Sequence, residues 1–264
     1  MGLLEKLGFE RKDCVNCGEK LNVMGNAKLK DGSKICKSCL SLKSPYLTGI
    51  GNMTLEQYRE HLAYREENKV RADEFNTTHY LSGSNVNLYI DYDKREFVIT
   101  GNSAWKQANV DVMFFDEIVD VDFEIKENKT EEKTKDENGN SISFNPPRYK
   151  YTYDFRIYIT LNNKWWSQIT YKLNSFSVEG YNNELYDSLY METEEFVEIL
   201  SMLKTCSREE LEETLEYYKQ WKAEPTKFDS HYYYEDRNYA RSGDFYSHRD
   251  PRTKHADFKY VYRK

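Results

Sequence analysis

Two Cys-x2-Cys pairs, Cys14/Cys17 and Cys36/Cys39, separated by eighteen residues, constrain this chain more than any other feature. Each pair brings two sulfurs to one side of a tight turn, and two such turns set four thiolates at the corners of a tetrahedron, an arrangement that suits Zn2+. Gly18 follows the first pair, where a turn of this kind calls for a residue free to take a positive φ. Lys12, Lys20, Lys34 and Lys37 lie close in sequence and would offset the charge of four thiolates. Iron of the rubredoxin type uses the same ligands, but no glycine follows the second pair here. A redox dithiol needs only one pair, so two pairs favour a closed metal site. Four protein ligands leave no open coordination position, and the expected zinc is structural rather than catalytic. The fifth cysteine, Cys206, reads as a small, partly buried residue at a helix junction.

The rest of the 264-residue chain is polar, with a mean hydropathy of -0.89 and 23 tyrosines among its hydrophobic residues, so its core must be shared out in patches. Aromatic residues at 15% argue against simple disorder. The net charge of -7 is uneven: residues 1–50 carry +4, residues 51–222 carry -13 and residues 223–264 carry +2. An acidic middle repels phosphate, which restricts any nucleic-acid surface to the two ends. No run approaches the roughly 20 apolar residues of a membrane span. The start of the chain shows neither a secretory signal nor a myristoylation pattern, and a cytoplasmic location is expected.

Residues 45–53, with Pro45, Gly49 and Gly51, read as a linker after the cysteine module at 10–50. Thr54 and Gln57 form a capping box that opens a highly charged helix over 54–73. Its few apolar residues, Leu55, Tyr58, Leu62 and Tyr64, make only a thin stripe, so it reads as a connector over 54–75. The period then changes to two. Strands are expected at 86–92 and 96–100 around a turn at Asp93-Lys94, then at 110–115, 118–125, 149–161 and 165–173. Residues 126–145, rich in Glu, Lys and Asn, read as a long mobile hairpin loop. After Thr193, the residues Phe196, Ile199, Leu200 and Leu203 share a helical face, and Ser207 with Glu210 caps a further helix bearing Leu211, Leu215, Tyr218 and Trp221. The last segment, 223–264, is an aromatic and charged tail.

Two resemblances follow. The run Cys14-x2-Cys17-Gly18, Lys28-Leu29-Lys30-Asp31-Gly32 and Ile35-Cys36-Lys37-Ser38-Cys39-Leu40 resembles a small bacterial four-cysteine zinc-finger domain family of unknown function. That resemblance implies a treble-clef or ribbon-like module over about 10–50 with these four cysteines as ligands, and no activity. The strand runs at 88–93, 96–100 and 113–121, with Phe114-Phe115-Asp116-Glu117-Ile118 opening the third and a helix at 194–205, are similar to a pleckstrin-homology-like (PH-like) domain. That similarity implies an antiparallel β-barrel over 80–222 closed by C-terminal helices, with a plain β-sandwich as the alternative. The expected class is therefore α+β.

The family likeness implies a binding scaffold, and the residues give no sign of catalysis. Of the five histidines three lie in the tail, and His61 on its charged helix reads as a surface residue. No phosphate loop, nucleophile elbow or His-Glu-x-x-His pattern is present. Trp165-Trp166 reads as local packing, or as one ring in the core and one on a binding face. Lipid headgroups are disfavoured, since Lys94 and Arg95 stand among Asp91, Asp93 and Glu96. The expectation is a non-enzymatic protein-binding adaptor or regulatory module of a bacterium or mobile element. Nucleic-acid binding through the basic zinc module and the tail is the alternative. A membrane-surface role for Leu3, Leu4, Leu7 and Phe9 is a more distant one.

Overall fold

A computed structural model describes residues 13–21, 24–181 and 183–223. The tail and the Leu3–Phe9 cluster lie outside the described residues. Residues up to Leu211 form one compact unit, and the chain from Glu212 forms a second, of which only the helical turns to Ala223 are described.

The cysteine module is small. A bridge between Asp13 and Lys20 closes the first cysteine turn, where Gly18 adopts φ +77°. A two-stranded hairpin follows, β1 (Ala27–Lys28) with β2 (Lys34–Ile35), and then a one-turn helix α1 (Lys37–Leu40), N-capped by the Cys36 side chain. The module's core is Leu21, Leu29, Ile35 and the buried cysteines, completed by Tyr58 from the next helix.

That helix, α2 (Leu55–Glu74), starts at the expected capping box: the Gln57 N–H donates to Thr54 Oγ1 and the Thr54 N–H to Gln57 Oε1. Its buried face is not the apolar stripe expected. The buried residues are Tyr58, His61, Arg65, Asn68 and Ala72, spaced three and four apart, so one helical face is buried along its length while being mostly polar. The toe of α2 joins a core of Ala72, Phe75, Val98, Trp105 and Val112.

The first sheet is an antiparallel meander, β3 (His79–Ser82), β4 (Asn87–Asp91), β5 (Glu96–Thr100) and β6 (Met113–Phe114). β6 is shorter than the strand expected over 110–115, because the residues before it bond α2 instead. The Val110 carbonyl accepts from Asn68 Nδ2 (2.9 Å), and the Val112 N–H donates to Asn68 Oδ1 (2.8 Å). A 3₁₀ turn, Phe115–Glu117, then passes the chain to the second sheet. This sheet consists of β7 (Ile118–Lys135), β8 (Ser141–Leu161), β9 (Gln168–Lys172) and β10 (Val178–Glu179). β7 lies along one edge of β8, while β9 and β10 share the other.

The expected barrel is not closed. Both sheets are open, and among the described residues no ladder joins them; the 3₁₀ turn and the truncated β6 break the pairing that closure needs. Residues 126–145 are also not a loop. Apart from a tight turn at 136–140, they belong to the outer halves of β7 and β8, which pair from Lys126↔Asp154 to Lys135↔Ser141 with a break in register where β8 carries four extra residues. Beyond Asn128 the ribbon has no buried face, so it shows no hydrophobic alternation.

Helix α3 (Glu184–Met202) packs on β7 and β8 and starts ten residues before the expected point, at the N-cap Asn183. Thr193 is mid-helix, its hydroxyl donating to the Leu189 carbonyl (2.7 Å) rather than capping. Helix α4 (Arg208–Ala223) begins at the expected capping box, with reciprocal bonds between Ser207 and Glu210. No helix among the described residues is long and apolar enough to cross a membrane.

Candidate metal centre

The four cysteine sulfurs converge, all within 4.8 Å of one another, and none is in a disulfide. Cys14 and Cys39 Sγ stand 3.8 Å apart, and Cys17 and Cys36 Sγ 3.6 Å apart. Sulfurs about 2.3 Å from a central ion at tetrahedral angles stand about 3.8 Å from each other, so the spacing fits a four-thiolate metal site. Cys14, Cys36 and Cys39 are buried and Cys17 is at the surface.

Local folding places each sulfur. The first turn is tied by the Gly18 N–H to the Cys14 carbonyl (2.8 Å) and by the Cys14 N–H to the Glu19 carbonyl (2.7 Å). Backbone N–H groups aim at the sulfurs: Cys36 N–H at Cys14 Sγ (3.3 Å) and Cys39 N–H at Cys36 Sγ (3.4 Å). The Asn16 amide donates to Cys39 Sγ (3.4 Å). These donors stabilise thiolates. Burial disfavours charge at Cys14, but the N–H groups of Cys17, Cys36 and Asn16 outweigh it and bring the thiol down to about 6. At Cys39 burial dominates over the Asn16 bond, the neighbouring sulfurs add to it, and the thiol is pushed up to about 12. Four sulfurs this close cannot all ionise against their mutual repulsion unless a cation sits between them.

Helix α2 clamps the site from outside. Tyr58 donates its hydroxyl to the Cys39 carbonyl (2.6 Å), and Arg59 Nη2 donates to the Val15 carbonyl (3.1 Å).

One turn further along α2 lies a buried polar cluster that the sequence reading missed. His61, expected at the surface, is wholly buried. Its Nε2 accepts the Ser44 N–H (3.0 Å), so the neutral ring carries its proton on Nδ1. The Trp165 ring lies 4.8 Å from it at 73°. Burial, with Arg65 and Lys43 nearby, brings the imidazole down to about 4. The Ser44 hydroxyl donates to Asp111 Oδ2 (2.8 Å), and Arg65 donates to both Asp111 and the Asn109 carbonyl. Burial pushes the Asp111 carboxyl up, while Arg65 and Ser44 pull it back. The serine hydroxyl is held by Asp111 and not by His61, so the trio lacks the base-to-nucleophile contact of acyl transfer. The signal for this cluster was the heptad-like spacing of 58, 61, 65, 68 and 72, which a search for apolar residues passes over.

A cleft of about 550 Å³ opens beside it, lined by Leu47, Asn52 and Met53 from the module's exit loop, Gln57 and Glu60 of α2, and Lys164 and Trp165. Trp165 and Trp166 precede β9 instead of lying in it; Trp166 is buried and Trp165 half-buried. Cys206, which follows α3 in the chain, is buried, its carbonyl accepting the Tyr92 hydroxyl (2.9 Å).

The geometry defines a four-cysteine metal-binding module. Residues 12–61 match a known family, "Domain of unknown function (DUF4428)", so the chain carries a DUF4428 domain whose cysteines are positioned to bind a metal. The match ends at His61 and so includes Tyr58, which completes the module's core. No curated protein and no solved structure matches the chain.

Proposed function

We propose that the chain is a non-enzymatic, cytoplasmic protein-binding module of an adaptor or regulatory kind, held in shape by one structural zinc ion. Four inward sulfurs at tetrahedral spacing support zinc, and the order of turn, hairpin and helix favours the treble-clef arrangement over a ribbon. Strands followed by a helix packed on the second sheet support a PH-like architecture with open sheets.

The observation that carries the binding role is the cleft. Its walls come from the module's exit loop, α2 and the loop before β9, so it exists only when module and sheet are both folded. Its volume suits a few residues of extended peptide, with the Trp165 ring for an apolar or aromatic side chain and the Asn52 and Gln57 amides for backbone groups. Two measurements test the proposal. Elemental analysis should find one zinc per chain, and iron with visible charge-transfer absorbance would refute the metal. Peptide display on the full chain should select binders that Trp165→Ala weakens at least tenfold; peptides indifferent to that substitution, or none selected, would refute the site.

A further inference from the structure

We propose that two copies of this chain associate edge to edge through the outer half of β7, in an antiparallel pairing centred on Thr130. The proposal does not rest on the peptide-binding reading, since none of the residues it uses line the cleft.

β7 is an edge strand: β8 pairs with it on one side, and among the described residues no strand pairs with the other. Beyond Asn128 no residue of the β7–β8 ribbon is buried on either face, with Ile142 and Tyr149 each 44% accessible. A two-stranded ribbon with no buried face is marginal in water, and pairing with further strands is the ordinary remedy.

The charge order says what the further strand is. A two-fold axis perpendicular to a continuous sheet sets residues of the same face opposite one another. With Thr130 opposite its own copy, Lys129 meets Glu131 of the second copy and Glu127 meets Lys133, and each pair occurs twice. On the other face Asn128 meets Glu132, and Lys126 meets Thr134. No like charges oppose within the strand. The neighbouring centres all fail: Lys129 on the axis faces itself, as does Glu131; Asn128 on the axis sets Glu124 against Glu132; Glu132 on the axis faces itself and sets Lys129 against Lys135. Opposite charges across a ladder stabilise it and like charges destabilise it, so one register is selected. A strand armoured only against pairing would carry one sign of charge; this one is complementary to itself. Lys129 already lies over the Tyr149 ring, 4.0 Å from its centroid, and Glu127 accepts the Tyr153 hydroxyl (2.9 Å), so both side chains are held on the face where the pairs would form.

Sedimentation equilibrium of the full chain should give a species of twice the 31.5 kDa monomer. Lys129→Glu should raise the dissociation constant roughly tenfold or more, because it sets Glu against Glu twice. Adding Glu131→Lys to it should restore association. Thr130→Cys in oxidised glutathione should form a disulfide-linked dimer, since directly opposed residues have Cβ atoms about 5 Å apart. Thr134→Cys, whose two copies would lie roughly 27 Å apart, should not. A monomer at all concentrations, a dimer indifferent to Lys129→Glu, or equal cross-linking at 130 and 134 would overturn the proposal.

Discussion

Replacing Asp111 by alanine should be among the most damaging single substitutions in this protein. Asp111 is wholly buried, and it is bonded to Arg65, which is 6% accessible, and to the Ser44 hydroxyl. Its removal leaves a buried guanidinium with only the Asn109 carbonyl and strands the Ser44 hydroxyl. Breaking one side of a buried ion pair costs about 3–5 kcal/mol. For a unit of this size that corresponds to a fall of about 6–20 °C in Tm. The companion variant, Arg65→Met with Asp111→Leu, removes both charges and keeps the volume. It should cost only about 2 kcal/mol, roughly one lost hydrogen bond each at Ser44 and Asn109. Urea unfolding followed by tryptophan fluorescence measures both. The reasoning fails if Asp111→Ala costs under about 1 kcal/mol, which would mean that water screens the pair, or if the double variant is as unstable as the single one, which would mean that the cost lies in lost hydrogen bonds and packing and not in a stranded charge.

Four further outcomes follow from the same structure. His61 is held neutral with its pKa near 4, below its ordinary 6.5, so the unfolded chain takes the proton first. Stability tied to this residue is present above pH 6.5 and is lost as pH falls toward 4, by up to about 3 kcal/mol relative to His61→Phe, and parallel pH profiles for the two proteins would refute it. Stripping the metal with a chelator should abolish amide-exchange protection over residues 13–62 while β4, β5 and the inner halves of β7 and β8 stay protected. Gly101→Ala would set a Cβ 2.4 Å from the Asn85 carbonyl oxygen, a backbone atom, and should cost about 1–3 kcal/mol in urea unfolding. Thr54→Ala removes half of the α2 capping box and should cost about 1 kcal/mol in the same assay.

The metal site was legible because cysteine spacing is a local code: four sulfurs and two turns can be read without knowing what surrounds them. Capping boxes at Thr54 and Ser207 and the β4–β5 hairpin were legible for the same reason. What was not legible is whatever depends on a partner far along the chain. His61 reads as a surface residue until Ser44 and Trp165 are known to enclose it. Residues 110–112 read as strand until Asn68 takes their hydrogen bonds. The β7–β8 ribbon reads as a loop because alternation marks a strand only when one of its faces is buried. Barrel closure failed for a related reason, since a count of strands does not fix which edges meet.

The polar face of α2 ties the four-cysteine site to the rest of the fold. At one end of the helix Tyr58 and Arg59 hold the cysteine turns; at the other Asn68 and Ala72 hold the first sheet; between them Arg65 and His61 bind Asp111 and Ser44. Ser44 comes five residues after the last cysteine, and two residues later Tyr46 shares a hydrogen bond with Tyr171 of β9. The segment leaving the metal site is thus pinned to the sheet, and the same segment continues into the cleft wall at Leu47. Hydrogen bonds of this kind hold only in a single geometry, whereas an apolar seam tolerates sliding. A metal ion held by Cys36 and Cys39 would therefore also fix the position from which Ser44 and Leu47 start. Metal loss should reach the cleft through that backbone before it reaches the strands, so peptide affinity should fall at chelator concentrations that leave the sheet's exchange protection intact; loss of both together would show that the module and the sheet unfold as one.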